Sequence, residues 1–313
     1  MLRYIWPRTV LMRVLLGVLV VLGFATGCAS LEERERELTF RVVKGDAGWY
    51  SGVPDAVQDV YLPVNATPGA QRIHAWWWPD ADPKAPVIFY LHGARWNLTG
   101  HVRRIEQLRR FGFSVFAIDY RGFGKSDGDL PSEEMCYEDA NAGWAWLVKR
   151  QPDAARRFIY GHSLGGAVAI DLAAKLAANE REKGATEGPQ ARGLIVESSF
   201  TSLPDVAAEL SFSWLPTSLI LSQKFDSIEK IKAVDIPVLV VHGAGDRFIP
   251  AKFSQALYQA APNPKKLLLI ENGSHNNSMW IGDGEYQHAL GELFGLSGAP
   301  AGDAKVSGTL PRS

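Results

Sequence analysis

The sequence is poor in cysteine: its 313 residues carry two, Cys28 and Cys136. That excludes a disulfide framework, and no His/Cys cluster has metal-ligand spacing, so neither a structural nor a catalytic metal is expected. Charge of one sign is also lacking, with 33 Lys and Arg against 34 Asp and Glu. Nothing therefore marks a nucleic-acid-binding face, and no nucleic-acid partner is expected. The sequence has no internal repeat, and no apolar run reaches the roughly twenty residues of a bilayer-spanning helix. One glycine-containing stretch with a Lys-Ser pair, Asp119 to Ser126, lacks the spacing of a phosphate-cradling loop. What is abundant is apolar: 46% of the chain is hydrophobic, ample for the core of one catalytic domain.

The first thirty residues differ from the rest. Arg3, Arg8 and Arg13 precede an apolar run from Val14 to Ala25, and Ala25-Thr26-Gly27-Cys28 closes it. That tripartite order reads as an export signal over residues 1–28. Small residues followed by cysteine resemble the lipobox of bacterial lipoproteins, in which the cysteine is acylated. The resemblance implies lipidation at Cys28 and a membrane-anchored protein of the bacterial cell envelope. Ala25 stands where a lipobox usually has Leu, and plain secretion or periplasmic release and an uncleaved signal anchor are the alternatives. Residues 29–56 read as a tether and entry segment, in which charge-rich Leu31 to Glu37 is a solvated tether or a short helix. Cys136, in a predicted helix, reads as a small buried apolar group. A Cys28–Cys136 disulfide would need a restrained N-terminus. Residues 297–313, rich in Gly, Ala, Pro and Ser, read as a disordered tail.

Between these ends, short apolar runs alternate with helical patterns. Strands are expected at Val57 to Leu62, Ile73 to Trp78, Val87 to Leu91, Ser114 to Ile118, Phe158 to Tyr160, Leu194 to Val196, Val238 to Val241 and Leu267 to Ile270. The first two suggest an antiparallel edge pair. The later ones are apolar throughout, as in parallel strands buried on both faces. Helices are expected at His101 to Arg110, Glu133 to Lys149, Leu164 to Ala178, Lys252 to Ala260 and Tyr286 to Phe294, where apolar positions recur three or four apart. This alternation predicts an α/β fold with a mostly parallel, eight-stranded, doubly wound sheet and ligands at the carboxyl ends of its strands.

Four of those strand ends carry chemistry. Gly161-His162-Ser163-Leu164-Gly165-Gly166 joins an apolar strand to an alanine-rich helix, the setting of a nucleophile elbow, and makes Ser163 the candidate nucleophile. Beyond Val238 to Val241, Asp246 is the candidate acid. Beyond Leu267 to Ile270, His275 is the candidate base: of the seven histidines only His275 and His288 follow both serine and aspartate, and His288 falls in a predicted helix rather than past a strand end. After Val87 to Leu91, the turn His92-Gly93-Ala94 lies beside the elbow, so the N–H groups of Ala94 and Leu164 are the candidate oxyanion hole.

Taken together, Leu91-His92-Gly93, Asp119 to Ser126, Gly161 to Gly166, Gly245-Asp246 and Gly273-Ser274-His275-Asn276 resemble the α/β-hydrolase superfamily over residues 57–296. Glu197 to Ser202 and Lys224-Phe225-Asp226-Ser227 resemble the abhydrolase-domain-containing protein 13 type within it. The resemblance implies a serine hydrolase with Ser163, Asp246 and His275 as its triad and with no cofactor. Ala94 departs from the Asn common after His-Gly, and Arg95 and Trp96 then crowd the entrance. Residues 198–236 read as a short cap or lid whose apolar side chains offer an acyl groove or pack on the sheet. The expected reaction is hydrolysis of an ester or thioester, with acyl-chain or lipid-like substrates favoured. A serine peptidase or amidase and a non-catalytic envelope scaffold are the alternatives. The sequence does not fix an oligomeric state.

Overall fold

The structure, a computed structural model, describes residues 30–64, 69–182, 184, 188–210 and 216–296. Cys28 and the signal at 1–28, the tail at 297–313, and Phe212, Trp214 and Leu215 of the cap lie outside the described residues.

Eight strands, β1 (Gln58–Pro63), β2 (Arg72–Trp78), β3 (Val87–Leu91), β4 (Ser114–Ile118), β5 (Arg157–His162), β6 (Gly193–Glu197), β7 (Val238–Gly243) and β8 (Lys265–Ile270), form one sheet. Its order is β1-β2-β4-β3-β5-β6-β7-β8. The β1/β2 and β2/β4 pairs are antiparallel and all others parallel. The expected antiparallel pair is present, with β1 as the sheet's edge and β2 one place inside it.

Alternation along the strands builds a core on each face. Val87, Phe89 and Leu91 of β3 face one cluster, while Ile88 and Tyr90 face the other. On the first face pack α3 (Glu133–Arg150), α4 (Leu164–Glu182) and α8 (Lys252–Ala260), through residues such as Trp144, Val168 and Phe253. On the second pack α2 (Leu98–Arg110) and α10 (Asp283–Phe294), through Val102, Ile105, Tyr286 and Leu290. Cys136 of α3 is a free thiol, fully buried among the first set. Residues 198–236 carry α5 (Leu203–Leu210), α6 (Thr217–Ile220) and α7 (Ser227–Lys230). The short α9 (Ser278–Ile281) lies between β8 and α10.

Of the tether and the short helix expected at Leu31 to Glu37, the helix forms. Residues 30–40 make a helix, α1, that docks on the domain. Glu35, 8% exposed, accepts hydrogen bonds from the Ser222 and Gln223 N–H groups at 2.8 and 2.7 Å, and from the Ser222 hydroxyl at 2.9 Å. Arg36 Nε donates to the Pro131 carbonyl, and Phe40 is buried edge-on to Phe225. The chain then runs beside the β3–α2 loop: Arg95 N–H donates to Phe40 O at 2.7 Å, and Val43 N–H donates to Arg95 O at 3.0 Å. A charge-rich sequence can be a docked helix when one of its charges finds buried donors, as Glu35 does.

Candidate active site

Topology places the site. Strand order reverses between β3 and β5, with Leu91 opposite Gly161, so the loops leaving these two strands flank the crevice of the sheet. One loop is His92-Gly93-Ala94; the other is the turn at Ser163.

Ser163 stands between β5 and α4 with φ of +54°, a left-handed conformation that costs a non-glycine residue energy. Hydrogen bonds hold it there. Its N–H donates to Glu197 O at 2.9 Å, and its carbonyl accepts from Gly166 N–H and the Ser199 hydroxyl, each at 2.9 Å. Glycine is required around it because backbones touch. A Cβ on Gly161 would lie 2.1 Å from Gly165 O, and one on Gly165 would lie 2.1 Å from Leu91 O. Gly93 sits against the serine itself, where an added Cβ would come within 3.1 Å of Ser163 Cβ. The Ala94 and Leu164 N–H groups, on either side of this contact, have no acceptor among the described residues.

Asp246 and His275 leave the neighbouring strands β7 and β8, whose ends pair Gly243 with Ile270. Ala244 N–H donates to Ile270 O and Gly245 N–H to Gly273 O, lacing the two loops together. His275 Nδ1 lies 2.7 Å from Asp246 Oδ2. The other carboxylate oxygen accepts from the Phe248 and Ile249 N–H groups at 2.8 and 3.0 Å, and His242 Nε2 is 3.3 Å from Oδ2. Burial works to raise the Asp246 pKa. The hydrogen bonds from His242 and His275, the facing imidazole and the Ile249 N–H outweigh it and hold the carboxyl well below the ordinary carboxylate range. An ionised Asp246 accepts, so His275 carries a proton on Nδ1 and turns Nε2 away from the carboxylate.

The His275 loop returns across β7 and β6 to the elbow, where His162 Nε2–H donates to His275 O at 2.9 Å and the two rings lie 5.0 Å apart. Burial, followed by Arg104, His275 and His101, depresses the His162 pKa well below normal and keeps that ring neutral. The structure thus joins His275 to Asp246 and brings their loop onto the residue before Ser163. It makes no hydrogen bond between the Ser163 hydroxyl and the imidazole. Phe248, 64% exposed, stands with its ring 5.8 Å from that of His275 and gives the mouth an apolar lip. A separate cavity of about 650 Å³, lined by Glu133, Tyr137, Asp171, Lys175 and Lys230 among others, contains none of these residues. There Lys175 and Lys230 are paired with Asp171.

A family model described as serine aminopeptidase, S33, matches residues 81–227. The uncharacterized protein MT2364 of Mycobacterium tuberculosis is 32% identical over 268 residues, which span 85% of this chain and 89% of that protein. The chain belongs to the α/β-hydrolase superfamily. This hydrolase is also similar to the lysophosphatidylserine lipase ABHD12 of Danio rerio, at 31% identity over 66% of this chain and 55% of that protein. Among solved structures it resembles the esterase Pf2001 of Pyrococcus furiosus, with a TM-score of 0.58 and 22% identity, covering 80% of this chain and 96% of that one. That likeness establishes the shared fold. It is an enzyme of the hydrolase class, with its eight-stranded, mostly parallel sheet flanked by helices.

Sequence reasoning missed three groups around the site. His242, which lies against Asp246, looked like a strand-ending turn residue. The segment 40–43, which brackets Arg95, looked like tether. Glu197 stands out in the sequence only within the Glu197 to Ser202 motif. A lone Glu ending the apolar strand Leu194-Ile195-Val196 was a signal, because a charge in a buried strand needs a partner.

Proposed function

We propose that this hydrolase cleaves carboxylic esters or thioesters through an acyl-enzyme on Ser163. The observation that carries the reading is the 2.7 Å contact of His275 with an ionised, buried Asp246, on a loop anchored to the residue before a strained serine. Ser163 Oγ attacks the carbonyl carbon as its proton passes to His275 Nε2. The Ala94 and Leu164 N–H groups receive the oxyanion, and the imidazolium returns the proton to the leaving alcohol or thiol. Water then repeats the sequence on the acyl-enzyme. Hydrogen bonds of this kind are often long without substrate and tighten on binding, which accommodates the open Ser163–His275 link.

The apolar lip at Phe248 and the helices between β6 and β7 favour esters with an acyl chain. The serine aminopeptidase description of the matching family favours a second reading, amide hydrolysis by the same groups. A fluorophosphonate probe tests the core of the proposal: it labels the wild type and fails to label Ser163→Ala. p-Nitrophenyl esters of increasing chain length, run beside aminoacyl p-nitroanilides, separate esterase from peptidase. We further propose that acylated Cys28 anchors the enzyme to a bacterial membrane, as Arg3 to Cys28 support.

A further inference from the structure

Directly behind the elbow lies a buried ion pair that the reaction scheme above does not use. The Glu197 side chain has no exposure and that of Arg104 has 4%. Arg104 Nη1 donates to Glu197 Oε1, which also accepts from the Ser278 hydroxyl at 2.8 Å. Oε2 accepts from the Tyr160 and Tyr286 hydroxyls at 2.7 and 3.2 Å. Burial opposes ionisation of both partners. Each nevertheless stays charged, because the facing opposite charge and the hydroxyl hydrogen bonds prevail. A buried pair of this kind is commonly no more stabilising than apolar residues of similar size. Its connections suggest another role.

Those connections run to both halves of the proposed relay. The main-chain carbonyl of Glu197 accepts the Ser163 N–H, while its carboxylate holds Ser278. The second Arg104 nitrogen, Nη2, donates to Asn276 O at 3.1 Å. The loop is therefore held at His275 by His162, at Asn276 by Arg104 and at Ser278 by Glu197. Arginine suits this place, since its planar fork reaches two acceptors where a lysine ammonium cannot match both directions.

We propose that the Arg104–Glu197 pair, with Ser278, is a positioning device that sets the His275 loop against Ser163 for the reaction. The inference rests on the reading of Ser163 as nucleophile and His275 as base. A displacement of about 1 Å at such a relay can cost roughly a hundredfold in rate. Loosening the device lowers turnover and leaves substrate binding largely unchanged.

The test is steady-state kinetics on a p-nitrophenyl ester for wild type, Ser278→Ala, Arg104→Lys and Glu197→Gln, with circular dichroism and thermal melting on each. Ser278→Ala, which removes one hydrogen bond, is expected to lower kcat about tenfold with KM within about twofold. Arg104→Lys is expected to lower kcat about a hundredfold with the same constancy of KM. If Arg104→Lys or Glu197→Gln fails to fold, Ser278→Ala decides. A folded Ser278→Ala enzyme with wild-type kcat, or with its loss in KM alone, overturns the proposal. Wild-type protein that hydrolyses the ester only as well as Ser163→Ala overturns the parent reading and this one with it, and is distinguished by that control.

Discussion

Asp246 is held through both oxygens: two backbone N–H groups donate to one, and His275 bonds the other, with His242 Nε2 3.3 Å from it. Replacing it by Asn puts an amide where an acceptor is needed, and the imidazole turns to the wrong tautomer. By analogy with other relays of this kind, Asp246→Asn lowers kcat by about 10⁴-fold while the fold persists, measurable with a soluble ester. The same carboxyl links stability to pH. Its folded-state pKa lies below the unfolded value, so the unfolded chain binds the extra proton and acid favours unfolding. The contribution is complete above the ordinary Asp value of about 3.9 and is lost as pH falls through the folded-state value. In denaturant titrations, the stability advantage of wild type over Asp246→Asn should therefore hold at neutral pH and shrink below about pH 4. An advantage that grows on acidification contradicts this assignment.

At the scale of elements, α1 offers the clearest prediction, because its one buried charge satisfies two backbone donors of the segment after α6. Glu35→Ala leaves the Ser222 and Gln223 N–H groups without their acceptor, a cost of about 1–3 kcal/mol. Thermal melting should show a midpoint several degrees lower, while Glu33→Ala on the exposed face serves as the unchanged control. This element also shows where sequence reading stops. The strands were legible because each is a short apolar run buried on both faces, and β3 and β4 have the bounds expected of them. Site residues beyond strand ends were legible because Gly-flanked turns stand out against those runs. Helix ends were less so: α2 begins at Leu98 because the Asn97 side chain accepts the Thr99 N–H, a cap that apolar spacing does not report. The docking of α1 was invisible, since the partners of Glu35 lie 187 and 188 residues away. Glu197 posed the same problem, its arginine lying 93 residues back on a helix whose buried face also carries Leu98, Val102, Ile105 and Leu108.

For the whole molecule, the docking of α1 changes what an anchor at Cys28 would do. A mobile tether would let the enzyme sample a wide volume. A helix whose first described residue is Ser30, two positions after Cys28, and which is fastened to the catalytic domain leaves at most about 7 Å of chain between an acylated Cys28 and a rigid body. Leu31 and Leu38, each more than half exposed, lie seven residues apart on the helix and so on one face, beside that short connection. An anchored enzyme would be held close against the lipid surface, an arrangement suited to substrates with acyl chains. In a bacterial host, Cys28→Ala should shift the protein from the membrane fraction to the soluble one and abolish incorporation of an alkynyl fatty acid. Ser163-dependent labelling by the fluorophosphonate should persist in the released form, because all five proposed catalytic residues lie within 57–296. Mature protein that retains Met1 and stays with the membrane after Cys28→Ala would instead make the segment a signal anchor. Loss of labelling on release would mean that the helix at 30–40 had come away and taken the Arg95 loop, next to Ala94, out of register.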